Sequence, residues 1–213
     1  MRKRVLLGDD HALMLEGLTR LLVPEFEIVG TAADGRSLVS EAERLKPDVI
    51  VLDIGMPEMN GIEAARQLNR SLPSAKIVFI TQQLDPAYVH AAFTAGARAY
   101  VAKQCASREL VQAIHYALDQ LYYVTPLVGE EAARLAGLNP GHNPSEFFGS
   151  TLTPRQREVL QLVAEGKTSK EISGILHISP KTVEFHRNSL MDELGVRTTA
   201  ELTRYAISRG IVT

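Results

Sequence analysis

The sequence predicts two domains of different class: a doubly wound α/β domain with a five-stranded parallel sheet, then a small all-α domain of four helices. Over the first 120 residues, short apolar runs alternate with segments whose apolar residues recur every three or four positions. From Tyr122 to Ser150 this alternation gives way to Pro and Gly, and beyond Ser150 only the helical spacing continues. The change of pattern places the domain boundary near residue 150.

The five apolar runs of the first domain are short and rich in β-branched residues, which is typical of strands buried on both faces of a parallel sheet. They are residues 5–7, 28–29, 49–52, 77–80 and 100–101. The segments between them have the spacing of amphipathic helices. The residues that show it are Leu15, Leu18, Leu22, Leu38, Ala42, Leu45, Val111, Ile114 and Leu118.

The helical domain carries its own start and stop signals. Thr153, Thr168 and Thr198 are each followed three residues later by Gln or Glu, which is the capping-box pattern. Ser179-Pro180 supplies a fourth start, and Gly166, Gly195 and Gly210 mark helix ends. The predicted helices are 153–165, 168–176, 179–194 and 198–209. We assign 3–120 to the α/β domain, 121–148 to a linker with one short helix at 130–135, and 149–213 to the helical domain.

Composition excludes several classes of protein. With 213 residues, 45% of them hydrophobic, the chain can bury two cores and is not disordered as a whole. A single Cys cannot form an internal disulfide, and the apolar run after Met1 is too short for a signal peptide. No stretch approaches the roughly 20 apolar residues that cross a bilayer. We expect a soluble, cytoplasmic protein that does not bind membranes.

The net charge of −2 hides an asymmetry between the two domains. Residues 151–213 carry nine Lys and Arg against seven Asp and Glu, whereas residues 1–150 carry 14 against 18. The helical domain is therefore mildly basic and the α/β domain acidic. An excess of +2 is weak evidence for nucleic-acid binding by itself, but the difference in charge indicates that the two domains have different functions.

Polar side chains follow four of the five predicted strands. Asp9 and Asp10 follow the first strand, Asp53 the third, Thr81 the fourth and Lys103 the fifth. The carboxyl ends of parallel strands meet at one edge of the sheet, where such folds bind their ligands. Three carboxylates suit Mg²⁺, and a hydroxyl with a Lys can hold a phosphoryl group.

These segments resemble the receiver domain of two-component response regulators, whose sheet is flavodoxin-like. The matching segments are Leu-Gly-Asp-Asp-His at 7–11, Val-Leu-Asp-Ile-Gly-Met-Pro at 51–57, Asn-Gly at 60–61, Thr81, and Ala-Tyr-Val-Ala-Lys at 99–103. The resemblance implies that Asp53 accepts a phosphoryl group. It implies that Asp9, Asp10, Asp53 and the backbone carbonyl of Gly55 bind Mg²⁺.

The same resemblance implies that Lys103 and Thr81 stabilise the phosphoryl group and that Thr81 and Tyr100 form the switch. The ring of Tyr100 would turn inward when Thr81 moves towards the phosphate. Two positions depart from the usual pattern, since Gly55 and Gln83 flank the expected path of attacking water. We expect them to set the lifetime of the aspartyl phosphate.

The second and third helices of the second domain have the spacing of a helix-turn-helix. On the third helix, Val183, Leu190 and Leu194 share one face, with Met191 at its edge, which predicts the core side. The opposite face collects Lys181, Phe185, Asn188 and Asp192, flanked by Glu184 and Ser189. A large apolar ring at the centre of a polar face favours a binding surface. In a major groove, Phe185 could meet a thymine methyl, Asn188 adenine and Glu184 cytosine.

The domain resembles the LuxR-type DNA-binding domain over nearly all of 150–213. The matching segments are Leu-Thr-Pro-Arg-Gln-Arg-Glu-Val-Leu at 152–160, Ala-Glu-Gly-Lys-Thr-Ser-Lys-Glu-Ile at 164–172, and Lys-Thr-Val-Glu-Phe-His-Arg at 181–187. The candidate DNA-binding residues are Lys181, Thr182, Glu184, Phe185, Arg187 and Asn188. Arg187 would contact phosphate or support the fold. Glu184 departs from the Lys that many relatives carry, which puts the preferred DNA sequence in doubt.

A receiver domain joined to this domain is the arrangement of the NarL/FixJ response regulators. It implies a transcription regulator whose Asp53 is phosphorylated by a sensor histidine kinase, not an enzyme acting on other substrates. Its expected partners are promoter DNA, RNA polymerase and, on activation, a second copy of the chain. The predicted interface between the two DNA-binding domains is the last helix, with Leu202, Tyr205, Ala206 and Ile207.

Two alternatives stay open at this point. One is an Mg²⁺-dependent phosphohydrolase with Asp53 as nucleophile, although the family that works this way has a second Asp where Gly55 stands. The other is a regulator that binds DNA without phosphorylation. The complete acidic pocket disfavours this second alternative, because binding without phosphorylation would not need it.

Overall fold

In this computed structural model, residues 1–128, 152–208 and 211–212 are described. The chain divides into two compact units, of which the first comprises Met1–Pro57 and continues from Gly61. The second comprises Glu58–Asn60 and the described residues from 152 onward.

Strands and helices alternate in the first unit. The strands are β1 Arg4–Gly8, β2 Glu27–Ala32, β3 Val49–Leu52, β4 Lys76–Thr81, β5 Ala97–Ala102 and β6 Tyr123–Val124. The helices are α1 Ala12–Leu22, α2 Gly35–Leu45, α3 Gly61–Ser71, α4 Pro86–Thr94 and α5 Ala106–Leu118, and Lys103–Cys105 and Pro126–Val128 form 3₁₀ turns. All five predicted strands are present, each at the predicted place in the chain.

The strands form one parallel sheet in the order β2-β1-β3-β4-β5-β6. Apart from β6, this is the flavodoxin-like strand order. The predicted number of five strands is therefore wrong. β6 is only two residues long and lies in a segment that the sequence assigns to the linker, and its formation depends on pairing with the edge of β5.

The sheet is covered on both faces. Alternate residues of β1, β3, β4 and β5 pack against α1 and α5 in one core. The residues between them face α2, α3 and α4 on the other side of the sheet and are also fully buried. They are Leu6, Ile50, Leu52, Phe79 and Tyr100. β2 lies at the edge and is only partly buried, contrary to the expectation that every strand is buried on both faces.

The second unit contains four helices: α6 Pro154–Ala164, α7 Ser169–Leu176, α8 Pro180–Leu194 and α9 Thr199–Ser208. Each begins where its capping residue predicts. Thr153 and Thr168 form complete capping boxes, Ser179 accepts a hydrogen bond from the amide of Thr182, and Thr198 and Glu201 bond each other's backbone amides. The predicted helix at 130–135 and the stop at Gly210 lie outside the described residues.

The core of the second unit lies between its helices. Val183 and Leu190 of α8 are buried in it and Met191 and Leu194 pack against it, which confirms the predicted core face. Leu202 and Ala206 of α9 are buried in the same core. Leu202 and Ala206 are therefore not free to contact a second copy, whereas Ile207 is exposed, and a dimer contact through α9 stays a prediction.

The turn between α7 and α8 passes through His177, which has left-handed backbone angles (φ 52°, ψ 43°). A left-handed residue reverses the chain in few residues, and it is uncommon for a residue other than Gly. In the described ranges, the helices are all too short or too polar to span a bilayer.

Candidate functional site

The parallel register of β1 and β3 brings two aspartates together. Gly8 pairs with Leu52, so the next residues, Asp9 and Asp53, leave the sheet side by side. The amide of Asp53 donates to the carbonyl of Gly8 at 2.8 Å, which fixes this arrangement. Thr81 and Ala102 end β4 and β5 at the same edge, as the sequence predicts.

Lys103 connects the two aspartates. Its Nζ lies 2.7 Å from Oδ2 of Asp9 and 2.7 Å from Oδ2 of Asp53, and all three side chains are buried. Burial opposes the charge on the ammonium, but the hydrogen bonds to Asp53 and Asp9 outweigh it and raise the pKa of Lys103. A fixed cation therefore lies directly against a carboxylate oxygen of Asp53.

Asp53 is held at both oxygens. Oδ2 accepts from Lys103, and Oδ1 accepts from the amide of Ile54 at 2.7 Å. The next turn closes tightly at Gly61, where a Cβ would lie 1.9 Å from the carbonyl oxygen of Asp53. No side chain fits there. Gly61 thus sets the position of the Asp53 main chain.

Ligand atoms of Asp9, Asp10, His11 and Asp53 lie within 4.8 Å of one another. His11 was not predicted as a site residue, although it belongs to the segment that carried the resemblance. Its Nδ1 lies 2.7 Å from Oδ1 of Asp10 and 3.2 Å from Oδ1 of Asp9. Three carboxylates against one ammonium leave this group of side chains negative, and oxygen donors of this kind fit a hard divalent cation.

Thr81 and Tyr100 are connected through the main chain of Gln83. Oγ1 of Thr81 accepts from the amide of Gln83 at 3.2 Å, and the hydroxyl of Tyr100 donates to the Gln83 carbonyl at 2.8 Å. The ring of Tyr100 is fully buried, which raises its pKa. The ring of Tyr100 therefore lies in the inward position. Because Gln83 bonds both side chains, a movement of Thr81 would displace the main chain that holds Tyr100.

A pocket of about 510 Å³ lies beside Lys103 and Thr81. Its remaining lining residues are Met14, Gln82, Leu84, Ala102 and Gln104. The pocket leaves space next to the two groups expected to hold a phosphoryl group.

On α8 of the second unit, four of the six candidate DNA-binding residues are exposed, one of them Glu184. Lys181, Phe185 and Asn188 lie on the outer face, and Phe185 is 68% exposed. Thr182 lies at the first turn, where its hydroxyl bonds that of Ser179 at 2.8 Å. The outer face combines a cation, an aromatic ring and an amide.

Glu184 and Arg187 are engaged within the unit. Ser169 donates its hydroxyl to Oε1 of Glu184. Arg187 donates to Oγ1 of Thr199 at 2.9 Å and to Oγ of Ser169 at 3.4 Å. The sequence pattern gave the face of the helix on which these residues lie but not these partners.

The chain matches two protein families. Residues 5–115 match the response regulator receiver domain, and residues 150–206 match the bacterial regulatory proteins of the luxR family. The two matches cover both units.

Similar proteins are found along the whole chain. The transcriptional regulatory protein MctR of Rhizobium johnstonii is 34% identical, with 98% of this chain and 95% of MctR covered. The transcriptional regulatory protein LiaR of Bacillus subtilis is 37% identical over 95% of this chain and 96% of LiaR. A structure of the Salmonella typhimurium RcsB response regulator, from work on its conformational dynamism for DNA interaction, has a TM-score of 0.64 at 28% identity, with 98% of each chain covered.

Proposed function

This chain belongs to the response regulators that join a receiver domain to a luxR-family regulatory domain, and we propose that phosphorylation of Asp53 controls its binding to promoter DNA. The phosphoryl donor is a sensor histidine kinase. The observation that carries the proposal is the position of Lys103, whose ammonium lies 2.7 Å from the oxygen of Asp53.

Phosphoryl transfer depends on positioning and charge stabilisation. A carboxylate oxygen of Asp53 attacks the phosphorus as the bond to the donor's imidazole nitrogen breaks. Lys103 neutralises an oxygen of the transferred group, and the hydroxyl of Thr81 donates to another. Charge stabilisation at such preorganised donors is strong because it needs no rearrangement during the reaction.

Asp10, Asp53 and the carbonyl of Gly55 would hold Mg²⁺, with Asp9 bound directly or through water. The carboxylate oxygens in this group of side chains fit that ion. When bound, Mg²⁺ supplies positive charge to the phosphoryl oxygens. Asp9 meanwhile keeps Lys103 in place, since it is paired with the same ammonium as Asp53.

Thr81 and Tyr100 would pass the change to the surface of the receiver. A Thr81 hydroxyl that turns to the phosphoryl group gives up its bond to the Gln83 amide. Gln83 also holds Tyr100 through its carbonyl, so the two groups move together. The surface that changes would be that of α4, β5 and α5, and the response would be a change in dimerisation.

The DNA contacts would come from α8. Inserted in a major groove, α8 presents Lys181 to phosphate or guanine, Phe185 to a thymine methyl and Asn188 to an adenine edge. Thr182, at the first turn, would bond a phosphate. A twofold dimer would read two half-sites about one helical turn apart, or a multiple of it, and would contact RNA polymerase at the promoter.

The test is selection of duplexes from a random pool, with and without a small phosphodonor and Mg²⁺, using the wild-type chain and its Asp53→Asn variant. We expect the wild type to enrich one sequence more strongly when the phosphodonor is present. Enrichment by Asp53→Asn should not respond to the phosphodonor. Enrichment of no sequence in any condition would refute DNA recognition. Equal enrichment by the two proteins would instead favour a regulator that binds DNA without phosphorylation.

A further inference from the structure

Four side chains join three helices of the DNA-binding unit. Ser169 is the first residue of α7, Glu184 and Arg187 lie one turn apart on α8, and Thr199 is the first residue of α9. Glu184 accepts from Ser169, and Arg187 donates to Ser169 and Thr199. Nη1 of Arg187 is also 3.9 Å from Oε1 of Glu184. We refer to these four residues as the Glu184 network.

Arg187 points away from the outer face of α8. Its side chain is 23% exposed, whereas the residue Phe185, two positions earlier, is 68% exposed. Its guanidinium donates towards α7 and α9, the helices on either side. Of the two cationic residues Lys181 and Arg187 on α8, Arg187 is bonded within the unit and Lys181 is exposed on the outer face.

We propose that Glu184 limits the sequence-independent affinity for DNA by acting through Arg187, whose guanidinium it keeps inside the unit and off the DNA backbone. The inference rests on the proposed DNA binding. Glu184 is then a positioning residue and not a reader of cytosine. Lys181, Phe185 and Asn188 remain as the groups that face the groove.

Keeping the Arg187 guanidinium off the DNA backbone changes how strongly the unit binds DNA of any sequence. An Arg on a phosphate strengthens binding to every sequence alike and makes it more salt-dependent. A phosphate contact removed from both complexes weakens specific and non-specific binding by the same factor, so it lowers the affinity and its salt dependence while the ratio of the two affinities stays the same. The small basic excess of residues 151–213 agrees with a domain that limits non-specific attraction.

Glu184 supplies the only carboxylate of the Glu184 network, and its substitution leaves Arg187 with the hydroxyls of Ser169 and Thr199 as partners. Glu184 has 51% of its side chain exposed, and ion pairs so exposed contribute little. Loss of the carboxylate also removes the acceptor of the Ser169 hydroxyl. With no carboxylate left in the network, we expect the guanidinium to exchange its neutral partner Thr199 for a DNA phosphate by turning outward to the position that Glu184 leaves.

A double-mutant cycle in the full chain tests the inference: wild type, Glu184→Ala, Arg187→Ala and the double variant. Each is titrated by fluorescence anisotropy on the duplex selected by the wild type and on a scrambled duplex, over a range of salt. We expect Glu184→Ala to bind both duplexes several-fold more tightly, with a salt slope steeper by about one unit. Arg187→Ala alone should change either affinity by less than about twofold, and the double variant should lose the gain.

Asp192→Ala is the matched control, since it removes an exposed carboxylate two turns further along α8. Any gain it gives should persist when Arg187 is also replaced. Arg187→Gln, which keeps a donor for Thr199 but no charge, replaces Arg187→Ala if circular dichroism shows loss of folding.

Three outcomes would overturn the inference. Glu184→Ala could relax the preference at one base pair, which would make Glu184 a base reader. Arg187→Ala alone could weaken binding to both duplexes with a shallower slope, which would place Arg187 on phosphate already. The gain could also survive in the double variant. If the wild type selects no duplex, the proposed function fails; if it selects one and the cycle is additive, only this inference fails.

Discussion

Gly61 contacts the Asp53 main chain so closely that it tolerates no side chain. In Gly61→Ala, the added Cβ would overlap the Asp53 carbonyl oxygen, at 1.9 Å. We expect the free energy of unfolding of the receiver to fall by about 3 kcal/mol or more, because main-chain atoms must move. Urea unfolding measures this, and phosphorylation by a small donor should be slowed as well.

The control for this prediction is Gly17→Ala. Gly17 lies exposed inside α1, and a Cβ there would have nothing within 4 Å. Ala should stabilise the helix by roughly 0.5–1 kcal/mol. Equal unfolding midpoints for Gly61→Ala and wild type would contradict the close approach at Asp53.

Asp48 gives the receiver a predictable dependence on pH. The amide of Arg4 donates to its Oδ2 at 2.9 Å and lowers the pKa of Asp48, and Lys3 at 3.0 Å lowers it further. Since the carboxyl is more acidic in the folded state, its contribution is present above the unfolded pKa of about 3.9 and is lost as the pH falls through the folded value.

The expected result is that Asp48→Asn lowers the melting temperature at pH 7 and that the difference from wild type closes below about pH 4. Melting curves followed by circular dichroism between pH 7 and pH 3 measure it. A difference that stays constant down to pH 3 would show that the charge of Asp48 is not the cause.

Residue positions at the sheet edge could be predicted because parallel strands end together, so Asp9, Asp53, Thr81 and Lys103 had to be near one another. Sequence patterns could not show that Lys103 bonds two aspartates at once. The same holds for Arg187, since periodicity gives the direction of a side chain but not its partners.

At the scale of elements, β6 is held to the receiver by a few specific contacts. The amide of Thr125 donates to the carbonyl of Tyr100 at 2.8 Å, the ring of Tyr122 contacts Phe93, and Arg98 lies 4.7 Å over the same ring. Thr125→Pro removes the donor without changing the rings. We expect faster amide exchange at 121–128 and easier cleavage after the Tyr residues by chymotrypsin.

Thr125→Val is the matched control, because it keeps the amide. The buried Thr125 hydroxyl finds no hydrogen-bond partner among the residues that the structure describes. Its removal should leave exchange unchanged or slower. If both variants are cleaved alike, the amide bond to Tyr100 does not hold β6.

Elements with signals in their own sequence were predictable, and those that depend on a neighbour were not. The four helices of the second unit begin at hydroxyl residues with a partner three positions on, as in Thr168 and Glu171. Tyr123–Val124 has no comparable signal, because two residues show no periodicity and the strand forms only along the edge of β5.

For the whole molecule, the small basic excess of the DNA-binding unit makes each exposed cation on α8 important. Lys181→Ala should weaken binding to every duplex, with a salt slope shallower by about one unit, if Lys181 contacts phosphate. If it contacts guanine, the preference at one position should relax by about 1–3 kcal/mol instead. Anisotropy titrations at several salt concentrations distinguish the two, and an unchanged affinity would remove Lys181 from the interface.

The helix caps of the second unit also affect how the chain folds. Its helix starts are fixed by residues three positions apart, as at Thr153 and Gln156. In the receiver, by contrast, Val5 must pair with Val49 before the sheet can form. Folding is faster when contacts are local, so the DNA-binding unit should reach its native state sooner. During synthesis the slower unit emerges from the ribosome first, which gives it additional time to fold.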